Sequence, residues 1–94
     1  MKPDERDSHP KEIWDRVEDY EAYMGRWSRV VARQFVDWLE IAKGSTWLDV
    51  GCGTGALTET ILEQCSPHTV QGIDTEDRYI TYLRGKIRDG RITF

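Results

Sequence analysis

The sequence predicts an α/β fold, namely part of an open, doubly wound parallel sheet preceded by amino-terminal helices. Two short runs rich in β-branched and apolar residues, Thr46–Val50 and Thr69–Ile73, are separated by a segment of helical periodicity. A third run starts at Arg91 after another helical segment, and such alternation requires parallel strands joined by right-handed helical crossovers. Three glycines at alternate positions, Gly51, Gly53 and Gly55, directly follow the first strand, at the edge where open α/β sheets bind their ligands.

The elements follow in order. Residues 1–9 (MKPDERDSH) are polar and aperiodic, as expected of a flexible tail. Residues 10–45 are expected to hold two helices. In the first, Pro10 occupies the opening turn, Ile13, Val17, Tyr20 and Met24 recur at helical spacing, and Gly25 supplies a stop. In the second, Ser28 caps the start and Val31, Phe35, Trp38, Leu39 and Ala42 form one apolar stripe, read as core. Gly44 ends it in a left-handed conformation.

From residue 46 to 94 the chain reads as the first half of a ligand-binding domain. Thr46–Val50 is expected as a buried strand, Ala56–Cys65 as a helix with Leu57, Ile61 and Leu62 inward, and Thr69–Ile73 as a second strand. Ile80, Leu83 and Ile87 mark a third helix to about Arg88, and Arg91–Phe94 opens a third strand.

Composition bounds the function. Ninety-four residues with 38% hydrophobic content suit one small soluble domain. No apolar run approaches the roughly 20 residues that cross a bilayer, and no basic-then-apolar leader opens the chain, so a cytoplasmic location without membrane contact is expected. Residues 1–21 hold eight acids and four bases, whereas residues 22–94 hold nine of each, so the net charge of -4 belongs to the leading segment. No basic stripe with interleaved aromatics points to nucleic acid. Cys52 and Cys65 are too few for a disulfide scaffold and form no metal-ligand pattern.

The chemistry lies in the segment Leu48 to Leu57. A chain that turns sharply at a strand end and lets a ligand approach its backbone needs glycine there. Asp74 stands 21 residues after Gly53, at the end of the second strand and beside the same crevice. A carboxylate at that point can accept hydrogen bonds from both hydroxyls of a ribose; it can also cap the helix that follows.

Leu48 to Ala56 resembles motif I of the class I S-adenosylmethionine-dependent methyltransferases, Rossmann-like enzymes, and Val70 to Asp74 resembles their acidic second motif. Tyr20 to Ser28 is similar to the leading segment of family members that act on small molecules. The resemblance implies S-adenosylmethionine as cofactor and a small-molecule methyl acceptor. It implies that the backbone at Gly51, Cys52, Gly53, Thr54 and Gly55 flanks the cofactor, that Asp49 orients its methionine amino group, and that Asp74 holds the ribose. Tyr20 would lie over the cofactor and Arg26 would face its carboxylate; a core aromatic and a solvated arginine are the equally weighted alternatives. No catalytic residue is identified: His9 and His68 read as exposed, and Cys52 has no histidine to activate it.

Two other readings remain. Gly51 to Ala56 also fits the G-x-G-x-x-A fingerprint of NAD-dependent oxidoreductases. Against this, S-adenosylmethionine carries a sulfonium and an amino group instead of a pyrophosphate, so Asp49 inside the strand favours it. The resemblance also implies further strands, with substrate contacts after the fourth, so the chain is expected to be the first half of such a domain and inactive alone. An uncovered edge on the first strand is then expected to pair with a second copy.

Overall fold

The computed structural model describes residues 16–94. The polar tail over 1–9 and the helix start at Pro10 and Ile13 lie outside the described residues. Helix runs unbroken from residue 16 to Leu39: residues 16–20 are α-helical, Glu21–Gly25 form a π turn, and α1 (Arg26–Leu39) continues directly. The stop expected at Gly25 and the cap expected from Ser28 are therefore corrected. Gly25 has φ −60° and ψ −35°, ordinary right-handed helix, and Ser28 lies inside α1. A Cβ on Gly25 would come within 2.6 Å of the Glu21 carboxyl carbon. What this position uses is the missing side chain, not a free backbone.

The expected core stripe is also corrected. Ala32 and Val36 are the buried residues of α1, while Val31, Phe35 and Trp38 are 65%, 43% and 76% exposed. The buried line runs one residue, about 100°, around the helix from the line of large side chains, because α1 packs on the following helix, with Val36 in one core cluster with Ile61. It ends at Leu39 with Glu40 in the left-handed region (φ 51°). Gly44 is also left-handed (φ +78°), but it serves the turn into β1, where its N–H donates to Ser66 O at 2.8 Å.

Beyond that turn the elements are β1 (Thr46–Val50), α2 (Ala56–Gln64), β2 (Thr69–Ile73), α3 (Asp77–Lys86) and β3 (Ile92–Thr93). Both long strands have the expected bounds, α2 and α3 stop one and two residues early, and β3 is shorter than expected. The strands are parallel in the order β1-β2-β3, with Thr46 opposite Thr69, Val50 opposite Ile73 and Val70 opposite Ile92. Val36, Ile61 and Val70 centre the core, with Trp47, Leu57 and Ile92 packed against them.

β1 is buried on one face only, which corrects the buried strand expected. Asp49 is buried and Trp47 half-buried beneath the helices, whereas the alternating Leu48 and Val50 are exposed. Among the described residues β1 pairs with β2 alone, so its other edge is uncovered. No helix of the described residues is long and apolar enough to cross a membrane. The register matters most at the carboxyl ends: β1 and β2 finish level, and the N–H groups of Gly51 and Cys52 donate to Ile73 O at 2.8 and 3.0 Å. That join sets the glycine loop beside the residue that follows β2, Asp74.

Candidate functional site

The loop after β1 lines a cavity of about 530 Å³, within the range that holds a cofactor-sized molecule. Tyr20, Trp27, Val31 and Phe35 of the long helix form one side, and Asp49 with Gly51, Cys52, Gly53 and Thr54 the other.

The glycines of the loop divide into two kinds. Gly51 and Gly53 are left-handed (φ +72° and +56°), with no side chain within 4 Å of where their Cβ atoms would lie, so ligand atoms can come up to the bare backbone. Gly55 (φ +90°) faces inward instead, where a Cβ would stand 2.6 Å from Leu83 Cδ2 and 3.3 Å from Ile87 Cδ1. It lies outside the cavity lining, and its missing side chain serves the packing of α3 against the start of α2.

Two carboxylates organise the crevice. Asp74 holds two loops together, its Oδ2 accepting from Gly53 N at 2.9 Å and its Oδ1 from Glu76 N at 2.8 Å. Glu76, not Asp74, caps α3. Asp49 is buried at the end of β1, where Thr58 Oγ1 donates to its Oδ2 at 2.6 Å. Burial raises the Asp49 pKa, the Thr58 hydrogen bond lowers it and the nearby charge of Asp74 raises it; the net shift is upward. Burial and the same two carboxylates push the Cys52 thiol up to about 11. Cys52 is therefore a neutral wall of the cavity at neutral pH.

Of the residues singled out in the sequence, Asp49, Gly51, Cys52, Gly53, Thr54 and Tyr20 line one cavity, and Asp74 is hydrogen-bonded to its loop. Arg26 is exposed and is not part of the lining. His68 is exposed in the turn before β2. Three contributions escape the sequence. Thr58 is one, and its signal is a hydroxyl one turn into the helix that follows the loop. The ring of Tyr79 stacks on that of Tyr20 at 6.2 Å, a pairing 59 residues apart that no local pattern carries. Val31 and Phe35, read as core, line the cavity instead.

A profile of the methyltransferase domain family matches residues 48–94. Over 92 residues the chain is 30% identical to demethylmenaquinone methyltransferase of Symbiobacterium thermophilum, covering 90% of this chain and 36% of that protein. Over 80 residues it is 30% identical to malonyl-[acyl-carrier protein] O-methyltransferase of Acetivibrio thermocellus, covering 83% of this chain and 28% of that protein. The chain thus spans about a third of the length of these curated relatives.

Two solved structures share its fold. One belongs to the complex between the Haloferax volcanii Trm112 methyltransferase activator and a methyltransferase (TM-score 0.68, 16% identity, 85% of this chain and 34% of that one). The other is an S-adenosyl-L-methionine-dependent methyltransferase from Methanococcus maripaludis (TM-score 0.65, 19% identity, 87% of this chain and 38% of that one). Because the family profile covers half of the sequence, from the strand bearing Asp49 through the glycine loop and Asp74 to β3, the chain belongs to the class I S-adenosylmethionine-dependent methyltransferases.

Proposed function

We propose that this chain is the amino-terminal, S-adenosylmethionine-binding part of a methyltransferase for a small-molecule acceptor. The observation that carries the reading is Asp49, a buried carboxylate on the cavity wall that, among the described residues, meets the Thr58 hydroxyl and the like charge of Asp74 and no cation. Such a site favours a cation, which the sulfonium and amino groups of the cofactor supply; the pyrophosphate of a dinucleotide would meet two like charges there. When bound, that group would supply an electrophilic methyl carbon on a positively charged sulfur, whose bond to carbon would break as the acceptor's forms, leaving a neutral thioether.

The protein's own part is placement. The backbone of Gly51 and Gly53 admits the ligand at close range, Asp49 orients the amino group, and Asp74 keeps a lone pair on each oxygen for the ribose hydroxyls beside its two backbone bonds. Cys52 and Thr54, both buried, complete this wall of the cavity. Holding the reactants in line is where most of the rate gain would arise, since the reaction needs no covalent help from the protein. The apolar wall of Trp27, Val31 and Phe35 supports a small acceptor with apolar or aromatic character. Of the two relatives, one is named for demethylmenaquinone and the other for malonyl-[acyl-carrier protein], so acceptor choice varies among proteins similar to this one.

Asp74→Ala is expected to weaken cofactor binding by about 1.5–3 kcal/mol, the worth of hydrogen bonds to a charged acceptor. Asp74→Asn recovers only part of this, because both oxygens of Asp74 accept from backbone N–H groups and an amide turns an NH₂ toward one of them. Calorimetric titration of the natural polypeptide carrying this sequence measures both variants; equal affinity in wild type and Asp74→Ala would refute the ribose role.

The 94-residue chain by itself is expected to bind the cofactor weakly and to associate through β1. That edge has no strand partner among the described residues and runs beside the exposed Leu48 and Val50. Size-exclusion chromatography with light scattering reads this directly, and a monomer at high concentration with micromolar cofactor affinity would contradict it.

A further inference from the structure

Outside the cavity, Glu21, Arg29, Glu59 and Lys86 form a ring of four alternating charges. Glu21 of the π turn pairs with Arg29 of α1 and with Lys86 of α3, the latter at 3.5 Å. Glu59 of α2 pairs with the same two cations, with Arg29 at 3.6 Å and with Lys86 at 3.1 Å. The ring joins the leading helix, the helix after the glycine loop and the helix after Asp74, and Glu59 N donates to Gly55 O at 2.8 Å. It thus lies directly behind the loop.

Glu21 is its unusual member. It occupies a core position, between Val17 and Gly25 on the buried line of the long helix, and its side chain is only 10% exposed. Its carboxylate lies on the bare Cα of Gly25, where any larger residue would displace it, and its buried Oε2 has no partner among the described residues. An apolar residue at such a position usually gives equal or greater stability than a buried ion pair. Fixing one placement of a helix is the attested benefit of a buried charge that stability does not explain. The next residue around the helix is Tyr20, on the cavity wall and stacked on Tyr79 at the start of α3.

We infer that Glu21 is a positioning residue: seated on Gly25 and shared between Arg29 and Lys86, it fixes the leading helix so that Tyr20 stands over the glycine-loop cavity. The inference rests on the cofactor reading above. Glu21 acts through Tyr20 and touches no ligand. Gly25 belongs to the same device, since a methyl there pushes the carboxylate off its seat.

A double-mutant cycle on the natural polypeptide tests it, with affinity for S-adenosylmethionine as one readout and thermal unfolding as the other. Tyr20→Ala, Glu21→Gln and Gly25→Ala should each weaken binding by about five- to tenfold, and Tyr20→Ala/Glu21→Gln should be no weaker than Tyr20→Ala alone. Glu21→Asp, which retains the charge on a shorter arm, should lie between Glu21→Gln and wild type. Losses that add in full, or a Glu21→Gln variant that melts earlier yet binds as wild type, would show that Glu21 is structural only. Unchanged binding in Tyr20→Ala by a wild type that does bind overturns this inference and leaves the cofactor reading standing; a wild type that does not bind overturns both.

Discussion

Gly55→Ala is expected to destabilise the domain by about 2–6 kcal/mol, as the sum of two separable costs. An L-residue held at φ +90° is strained by about 1–3 kcal/mol. The new methyl also meets Leu83 Cδ2 at 2.6 Å, and Leu83 is fully buried, so overpacking adds about 1–3 kcal/mol. Against a domain stability of about 5–15 kcal/mol, the loss is large. Leu83→Ala alone leaves a cavity, also costly, but combined with Gly55→Ala it makes room for the methyl. Urea denaturation of the two single variants and the double variant should therefore show a double loss well below the sum, by the overpacking share. A single Gly55→Ala loss under about 0.5 kcal/mol would mean that the loop does not adopt this conformation.

Asp49→Asn is expected to move binding and stability in opposite directions. The folded-state pKa of Asp49 lies above its ordinary value, chiefly through burial. An acid shifted upward gives its full stability below the unfolded pKa of about 3.9 and loses it as pH rises through the folded value, so at a pH above both values the shift counts against the fold. Asparagine is neutral and can still accept from Thr58 Oγ1, so thermal stability without cofactor should be unchanged or higher. Cofactor affinity should fall by about 1.5–3 kcal/mol, roughly 10- to 150-fold, as one charged acceptor is lost. In the wild type, affinity should decline on acidification at a higher pH than an unshifted aspartate would give. A variant that melts earlier but binds as before would place Asp49 among the supports of the fold and not in the site.

The difference between these two variants shows what the sequence could and could not convey. Thr46–Val50 and Thr69–Ile73 were legible to the residue, because strand composition between glycine and turn residues is a local signal and parallel pairing follows from the helix between them. Asp49 and Asp74 were legible from their places at the strand ends. The leading helix was misread for a reason that recurs: large apolar side chains at helical spacing mark a face, but burial depends on what the helix packs against. Here Val36 packs into the core with Ile61 and Val70, while Val31 and Phe35 turn to the cavity. Gly25 and Gly55 show the same limit, since the one reads as a helix stop and the other as a loop glycine open to the ligand until Glu21 or Leu83, at the other end of the contact, is in place. Thr58 and Tyr79 depend wholly on tertiary contact.

The central claim is that the crevice between the glycine loop, Asp49 and the leading helix selects a cationic adenosyl ligand. Calorimetric titration of the natural polypeptide with S-adenosylmethionine, its demethylated product and NAD, in one buffer at neutral pH, tests it most directly. Binding of the first two and none of NAD is expected, with the positively charged S-adenosylmethionine losing more affinity than its neutral-sulfur product in the Asp49→Asn variant. Tight binding of NAD without binding of S-adenosylmethionine would contradict it.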